Sequence, residues 1–338
     1  MNDTEDMKPK VSIVVPVYKV EAYIEQCVRS LFEQTLENLE FVFVDDASPD
    51  ESVAIIKRVL DEYPQRKGQV KFIRHEHNMD LPQTRKDGLN AATGEYFIYV
   101  DSDDWVEPNY AELLYTKAQE TDADIVVCDF YFYKNEEVSV INAVPDKEGD
   151  TGERLRDDTL NRRSWPNVWI RLFRRSLFAD NDIIWPKHGM AEDVVITSQA
   201  TYYAKKLAYL NSPLYHYRWN PNSYSRLEDE LKVMKRVNNY KENLAIVQDF
   251  LRQHGVAHKY AKGIIHAKIE IRNYFLPLLH KPKYWWKHIS TFPEINLIFL
   301  FPNRYYNPPF RKRLRMLFTL LGLYPLLSRL TGEKELES

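Results

Sequence analysis

The sequence predicts an α/β protein with a mainly parallel sheet flanked by helices, followed by a helical C-terminal appendage. Short β-rich apolar runs alternate with segments of helical periodicity over the first half of the 338-residue chain, and this alternation is typical of βαβ units. Strand-like patterns then stop after about Arg226. We therefore expect one domain over residues 1–226 and a basic, aromatic-rich helical region over residues 227–338.

The first elements are defined by hydrophobic periodicity. The predicted strands are Val11–Val17, Leu39–Val44, Val70–Arg74 and the run that ends at Val100. The predicted helices between them are Ala22–Gln34, Asp50–Tyr63, with Ser48 or Asp50 as its N-cap, and Pro82–Ala92. Because crossovers between parallel strands are right-handed, every βα loop is expected along one edge of the sheet.

The later elements follow a less regular pattern. A helix is predicted over Asn109–Thr121, a strand within Ile125–Tyr133, a mobile polar loop over Asn135–Asp158, helices at Trp169–Phe178 and Val194–Ala204, and a closing strand at Leu207–Leu210. Helices are expected again between Glu228 and Phe275.

Composition excludes several protein classes. The N-terminal segment is polar, no apolar run is long enough to span a membrane, and Cys27 and Cys128 lack the spacing of zinc ligands. We expect no signal peptide, no disulfide framework and a cytoplasmic location. Of the 46 Lys and Arg and 49 Asp and Glu in the chain, residues 231–338 hold 19 and 7, which leaves 27 and 42 in residues 1–230.

An acidic segment directly follows the strand that ends at Val100. Its carboxylates, Asp101, Asp103 and Asp104 around Ser102, lie at the predicted carboxyl edge of the sheet, where open α/β sheets bind ligands. Like charges this close disfavour ionisation unless a cation lies among them. Magnesium-like ions take one or two carboxylates and add water and phosphate oxygens. The alternative is a solvated acidic turn before a helix.

Polar groups on neighbouring loops fall on the same predicted edge. Asp45 and Asp46 end the second strand, where carboxylates either bind a nucleoside or cap the next helix. Arg85 lies near a helix N-terminus that would favour phosphate, or is an ordinary solvated residue. Glu192 and Asp193 open a later helix, either as dipole-stabilised acids or as a general base for an alcohol.

Together these motifs resemble those of family 2 glycosyltransferases. Four segments follow the order and spacing of that family within about residues 10–226: Val11–Tyr18, Val44–Asp50, Ala92–Trp105 and Glu192-Asp193. The resemblance implies a GT-A fold, which is Rossmann-like, and an inverting transfer of a hexose-type sugar. The implied donor is a nucleotide sugar, expected to be a UDP-sugar. The implied acceptor is a hydroxyl of a glycan or lipid-linked molecule in surface polysaccharide biosynthesis.

The resemblance also implies roles for individual residues. The implied donor-binding set is Pro16, Val17, Tyr18, Asp45, Asp46, Asn78, Arg85, Asp101, Ser102, Asp103 and Arg218. Asp46 would contact the base, Asp103 of the DxD motif would bind Mn²⁺ or Mg²⁺ on the diphosphate, and Asp101 would bind the ribose or the waters of the metal. Asp193 matches the position of the catalytic base, with Glu192 beside it.

The chain departs from the family pattern in one loop. Asp80 replaces the usual flexible glycine and Lys86 replaces an asparagine, although Arg85 matches. Asp80 thereby adds negative charge near the expected phosphate-binding region. Farther along, the segment Trp169–Arg175 resembles a helix that lines the acceptor side in the family.

The segment Tyr215–Ser223 resembles the part of the family that closes over the diphosphate. His216 and Arg218 are therefore candidates for metal and phosphate contacts. His216 is equally consistent with a packed residue at a strand end.

The C-terminal region interleaves cations with aromatic and aliphatic residues, most clearly in Lys283–His288, Arg311–Phe318 and Leu317–Leu330. Such segments are typical of the interface of an anionic membrane, which predicts peripheral contact with the inner face of the cell membrane. A helical appendage with solvated cations is the alternative. Nucleic-acid binding ranks lower, because no nucleic-acid motif is present.

Two other functions stay open on the sequence. A metal-dependent nucleotidyltransferase would share the sheet and the metal carboxylates but would not need Asp193. A catalytically inactive GT-A-like binding protein is the second alternative, because Asp80 alters the donor loop.

Overall fold

The computed structural model describes residues 8–144, 152–220, 230–279, 281–301 and 307–323. The chain divides into two compact units, Met1–Asn220 and Pro221–Ser338. The predicted domain boundary at residue 226 lies outside the described residues, as do the last residues of the predicted membrane-binding segment.

One mixed sheet forms the centre of the first unit. Its strands in the described residues are β1 (Val11–Val17), β2 (Leu39–Asp45), β3 (Val70–Arg74), β4 (Tyr96–Tyr99), β5 (Trp105–Val106), β6 (Ile125–Lys134), β7 (Glu137–Ile141), β8 (Arg171–Arg174) and β9 (Leu207–Arg218). The spatial order is β3-β2-β1-β4-β8-β6-β9-β5, with β7 paired to β6. Strands β1 to β4 pair in parallel, whereas β8 runs antiparallel to both β4 and β6. The α/β class is confirmed, and the sheet is mixed: β1 to β4 are parallel, whereas the second half combines the parallel pair β6 and β9 with antiparallel pairs.

The parallel strands are apolar at successive positions because both of their faces are covered. Every residue of β1 and β2 is buried. The helices of this unit are α1 (Ile24–Phe32), α2 (Ser52–Glu62), α3 (Leu81–Ala91), α4 (Tyr110–Thr121), α5 (Gly152–Leu160), α6 (Ser176–Ala179) and α7 (Glu192–Tyr203). The N-cap position of α2 is Glu51 rather than Ser48 or Asp50, although the Asp50 carboxylate accepts the Ser52 N–H at 3.2 Å.

Two predictions about the middle of the chain are wrong. The predicted helix Trp169–Phe178 contains the strand β8, because Leu172 and Phe173 pair with β4 and fill the core. Long-range pairing here outweighs local periodicity. The predicted mobile loop Asn135–Asp158 contains β7 and the start of α5.

The closing strand β9 is much longer than predicted. It continues past the predicted end at Leu210 to Arg218 and follows β6 in parallel, with a register shift beside Asp129. This extension carries three side chains, those of Tyr215, His216 and Arg218, to the edge of the sheet where β4 ends.

A buried polar network holds the chain just before β4. Ser12 Oγ donates to Glu40 at 2.5 Å and accepts the Gly94 N–H at 2.9 Å. Thr93 donates to both oxygens of the same carboxylate at 2.8 Å. Burial would raise the pKa of Glu40, but these donors and Lys71 outweigh it and hold that pKa below its usual value. The ionised carboxylate therefore keeps β4 aligned beside β1 and positions the acidic segment after it.

The second unit is helical over its described residues, as predicted. Its helices are α8 (Glu230–Gln253), α9 (Ala261–Asn273), α10 (Pro282–Ser290), α11 (Glu294–Leu300) and α12 (Phe310–Leu320). A small core joins α9, α11 and α12. It consists of Ile265, Ile295, Phe299 and Met316. No helix in the described part of the chain combines the length and apolar character needed to cross a membrane.

The variant Gly94→Ala is expected to lower the free energy of unfolding by about 2 kcal/mol, because overpacking forces a tightly packed backbone to move. An added Cβ would lie 2.7 Å from Ser12 N, Ser12 Oγ and Tyr96 O. Urea unfolding measures the change. Gly68→Ala is the matched control, since no atom lies within 4 Å of a Cβ at that position. Equal stability of the two variants would contradict the role of this contact.

Candidate active site

The side chain of Arg85 lies at the centre of the candidate site. It extends from α3 and is only 1% exposed. Its guanidinium donates to Asp101 Oδ1 at 2.6 Å, to Asp193 Oδ1 at 3.0 Å and to Glu192 Oε1. The end of β4 and the start of α7, separated by about half the first unit in sequence, therefore meet at one cation.

Electrostatics at this cation are unbalanced, because three carboxyl groups face one guanidinium. Burial alone would lower the pKa of Arg85, but the carboxylates outweigh burial and raise it well above its usual value. Burial raises the pKa of Glu192 well above its usual value, against the attraction of Arg85 and with the help of Asp193. Burial also raises the pKa of Asp101. The site therefore favours a proton on Glu192 and has negative charge to share with a further cation.

The carboxylate of Asp193 accepts hydrogen bonds at both oxygens and is partly exposed. Its side chain is 21% exposed, and besides Arg85 it is approached by Val168 N at 3.3 Å and Asn167 Nδ2 at 3.4 Å. The loop that presents these donors is held in turn by Arg171, which donates to the carbonyls of Asn167 and Trp165 at 2.5 Å. Burial lowers the pKa of Arg171 to about 10, which leaves it charged at neutral pH. Asp193 is thus held at Oδ1 by Arg85 and Val168 N and at Oδ2 by Asn167, while part of its side chain reaches solvent.

The remaining carboxylates of the acidic segment have separate surroundings. Asp104 is buried, accepts from Tyr215 Oη at 2.8 Å and from Arg218 N at 2.7 Å, and has its pKa raised well above the usual value, first by burial. It therefore belongs to the turn. Asp103 is half-buried, its Oδ2 accepts from Asn220 Nδ2 at 3.3 Å and its carbonyl accepts from Arg218 Nε at 3.0 Å.

Asp101 and Asp103 fit a hard divalent cation that takes most of its ligands from phosphate and water. Among the residues that the structure describes, no three His, Cys, Asp or Glu side chains are grouped as metal ligands. Magnesium-like ions commonly use only one or two carboxylates and fill the shell with phosphate and water. Asp103 offers a half-exposed carboxylate, and Asp101 Oδ2 makes no hydrogen bond within the described chain while its Oδ1 is held by Arg85. The excess of carboxylates over cations supplies the favourable field.

Both ring nitrogens of His216 lie beside protein groups. Its Nδ1 lies 2.9 Å from Tyr133 Oη and its Nε2 lies 3.0 Å from Glu107 Oε1. The ring is stacked against Trp105 and Tyr131 at centroid distances of 4.9 and 4.8 Å. Both nitrogens are therefore engaged within the protein, as the packed strand-end alternative predicts, and the metal contact of His216 stays a prediction.

The guanidinium of Arg218 is packed between aromatic rings. It lies over Trp105 at 4.7 Å and over Tyr23 at 5.1 Å, and it donates to Gln26 as well as to the backbone of Asp103. Its contacts in the structure thus support the backbone of the acidic segment.

The expected base-binding residues lie together at the ends of β1 and β2. Asp46 Oδ1 accepts the Met79 N–H and lies beside His75 Nδ1, both at 2.7 Å, while its Oδ2 makes no hydrogen bond among the described residues. Asp45 instead accepts the Ser48 N–H at 2.8 Å and stabilises the following turn. Tyr18 is exposed beside them, whereas Pro16 and Val17 are buried.

In the loop before α3, Asp80 has the backbone conformation that the usual glycine of the family would favour. Asp80 adopts φ +69°, a conformation that favours glycine. Its carboxylate caps the helix by accepting the Leu81 N–H at 2.8 Å. Asn78 is exposed and accepts the Asp80 N–H at 3.3 Å. The substitution is therefore accommodated by capping, at the cost of a strained backbone.

Similarity to known proteins identifies the family of this chain. The family model described as glycosyl transferase family 2 matches residues 12–181, which is half of the chain. The protein belongs to this family. One similar protein, the putative glycosyltransferase EpsH of Bacillus subtilis (strain 168), is 31% identical over 247 residues, which cover 71% of this chain and 70% of the relative.

Solved structures share the fold of this glycosyltransferase at low sequence identity. S. aureus TarS 1–349 in complex with UDP-GlcNAc gives a TM-score of 0.57 with 17% identity, over 96% of this chain and 93% of that chain. The mannosyltransferase PcManGT from Pyrobaculum calidifontis, in complex with GDP-Man and Mn²⁺, gives 0.55 with 14% identity, over 97% and 88%. The predicted GT-A fold is confirmed.

Sequence reasoning missed the supporting residues of the glycosyltransferase site. His75, Asn167 and Arg171 were not proposed as site residues, although each holds a carboxylate or the loop beside one. None of these three residues lies in a recognised catalytic motif. Each reaches the site only because the folded chain brings it there. The sequence did predict the carboxylates that they hold, Asp46 and Asp193, and the neighbouring Arg85.

The variant Glu192→Gln is expected to change how stability depends on pH. Because the folded state raises the pKa of Glu192, it binds a proton that the unfolded chain has released above about pH 4.3, and this contribution falls as the pH rises. Glutamine removes that fall. The stability of the variant relative to the parent should therefore increase between pH 5 and 8, by up to about 1.4 kcal/mol per pH unit. Urea unfolding across this range measures the difference, and parallel pH profiles would contradict a protonated Glu192.

Replacing Asp80 separates backbone strain from helix capping. Asp80→Ala is expected to lower the free energy of unfolding by about 1 kcal/mol, because it loses the cap and keeps a Cβ at positive φ. Asp80→Gly should stay within about 0.5 kcal/mol of the parent, since relief of strain offsets the lost cap. Chemical denaturation compares the two, and equal losses would argue against strain at this position.

Proposed function

We propose that this glycosyltransferase is an inverting enzyme that transfers a hexose-type sugar from a nucleotide-sugar donor to a hydroxyl of a glycan or lipid-linked acceptor. The observation that supports it most directly is the shared contact of Asp101 and Asp193 with Arg85. This contact joins a candidate general base to the carboxylates expected to hold the donor.

The donor is proposed to be a UDP-sugar, bound along the ends of β1, β2 and β4. Pro16, Val17 and Tyr18 would line the nucleoside pocket. The unoccupied acceptor capacity of Asp46 Oδ2 suits the N–H of a uracil base, while His75 and the Met79 N–H hold the other oxygen. That TarS was solved with UDP-GlcNAc supports this donor class, although PcManGT was solved with GDP-Man.

Asp103, with Asp101 beside it, would hold Mn²⁺ or Mg²⁺ against the diphosphate. When bound, such an ion supplies Lewis-acid stabilisation of the departing phosphate charge. Arg85 fixes Asp101 through Oδ1 and opposes the rise in its pKa that burial causes, which leaves Oδ2 for the ribose or for metal-bound waters. Arg218 would support this segment by donating to the carbonyl of Asp103.

The transfer step follows from the position of Asp193. Its exposed carboxylate removes the proton of the acceptor hydroxyl as the acceptor oxygen forms a bond to the anomeric carbon. The bond from that carbon to the phosphate oxygen breaks, and its electron pair leaves with the nucleoside diphosphate. Attack from the face opposite the leaving group inverts the configuration. Arg85, Val168 N and Asn167 keep the base oriented, and protonated Glu192 avoids a further negative charge beside it.

The proposed setting is surface polysaccharide biosynthesis in the cytoplasm, with peripheral contact to the inner face of the cell membrane. A net positive C-terminal region with many aromatic residues supports this setting. Such contact would bring the enzyme close to a lipid-linked acceptor.

The variant Asp193→Asn tests the proposed base. It is expected to slow sugar transfer about 100- to 10,000-fold, because an amide cannot accept the proton, while donor affinity changes little. Asp103→Ala should instead abolish the metal-dependent turnover and weaken donor binding. Product formation, release of nucleoside diphosphate and calorimetric binding of UDP-sugars with Mn²⁺ are the measurements.

Asp61→Asn is the matched control, because that side chain is 73% exposed and pairs only at the surface. Parental turnover in Asp193→Asn would refute the base. Release of pyrophosphate from a nucleoside triphosphate would identify a nucleotidyltransferase, and donor binding without any turnover in the parent would identify a binding protein.

A further inference from the structure

Helix α12 carries an apolar stripe on its exposed side. Phe310, Leu314, Leu317 and Leu321 lie at positions i, i+4, i+7 and i+11, which form one face of an α-helix. Their exposed fractions are 73%, 36%, 40% and 62%. Large apolar side chains at this spacing normally face a core, so an exposed stripe marks an interaction surface.

The opposite side of α12 is already used for packing. Met316 belongs to the small core with Ile265, Ile295 and Phe299. Trp285 Nε1 donates to the carbonyl of Thr319, which is itself buried. The helix is therefore held in place by one face, and the exposed stripe is not the face that folding requires.

Cations flank the stripe on both sides. At about 100° per residue, Arg311 and Arg315 project on one side of the stripe and Arg313 on the other. Arg313 Nη2 lies 3.4 Å from the carbonyl of Leu300, so the next residue, Phe301, which is 72% exposed, is near the same edge. From residue 295 to 323 the chain contains five Lys and Arg and no Asp or Glu.

We propose that the exposed face of α12, with Phe301, is a docking surface for an anionic lipid bilayer. The aliphatic and aromatic side chains enter the boundary between head groups and acyl chains, and the flanking guanidinium groups reach the phosphates. This surface would provide the membrane contact of the proposed function. Its biological role rests on that function, but lipid binding itself requires no sugar transfer.

Charge favours a bilayer over the other occupants of such a face. A second copy of the chain would bring two basic rims together, which like-charge repulsion opposes. Nucleic acid would neutralise the rims but would leave the apolar centre against a charged backbone. An anionic bilayer complements both parts, because it offers phosphates at the depth of the cations and hydrocarbon at the depth of the stripe.

The test uses the full chain and vesicles of phosphatidylcholine, with or without phosphatidylglycerol, in a flotation assay. The parent protein is expected to bind the mixed vesicles strongly, the neutral vesicles weakly, and the mixed vesicles less at high salt. The triple variant Phe310→Ser, Leu314→Ser, Leu317→Ser should bind about 100-fold more weakly, because the apolar contribution is lost. Arg311→Gln with Arg313→Gln should reduce binding about 25-fold.

Matched controls change equally exposed residues elsewhere. Val138→Ser, Val140→Ser and Ile184→Ser remove three exposed apolar side chains, and Lys57→Gln with Lys205→Gln removes two exposed cations; both should bind like the parent. Calorimetric donor binding and thermal unfolding of every variant separate a failed membrane surface from a misfolded or wrongly identified enzyme.

The inference is overturned if the serine triple variant floats as well as the parent, or if phosphatidylglycerol does not increase binding. It is also overturned if light scattering finds a parent dimer that the same triple variant converts to monomers, because the stripe would then join two copies.

Discussion

The buried guanidinium of Arg85 is the group on which the geometry of the candidate site depends. It ties together the end of β4, helix α3 and the start of α7 through Asp101, Glu192 and Asp193. Without it, three carboxyl groups would face one another with little access to water, and an uncompensated buried charge costs several kcal/mol. Tyr99 supports the arrangement, since its ring lies 5.4 Å from the guanidinium carbon and its hydroxyl donates to the Arg85 carbonyl. Folding and site geometry are therefore coupled.

The same cluster shows how neighbouring carboxyl groups acquire different tasks. Glu192 is driven towards its neutral form by burial, whereas Asp193 keeps part of its side chain in solvent. Asp104 is enclosed by Tyr215 and the Arg218 backbone and stabilises the turn, while Asp103 is half-buried at the same edge. Environment thus gives chemically similar side chains different surroundings: Glu192 is driven towards its neutral form, Asp193 is a candidate base, Asp104 is structural and Asp103 is a candidate cation ligand. The excess of negative charge is compatible with a donor that arrives with a divalent cation.

The two units differ in the chemistry they present. The first is acidic and organises its charge around a sheet edge, and the second is basic and leaves apolar side chains exposed on α12. Donor chemistry and membrane contact would thus be encoded in separate elements. That separation allows vesicle binding and sugar transfer to fail independently.

The sequence by itself determined the α/β class, the first four strands, most of the early helices and the family, because local hydrophobic periods and ordered motifs do not depend on distant contacts. It also selected Arg85, Asp101 and Asp193, but only as separate matches. Tertiary structure decided that they share one ion-pair cluster. It turned a predicted helix into β8, because Phe173 pairs and stacks against Phe97, and it engaged both nitrogens of His216 within the protein. Such outcomes depend on which distant side chains meet and how deeply they are buried, and a linear pattern does not contain that information.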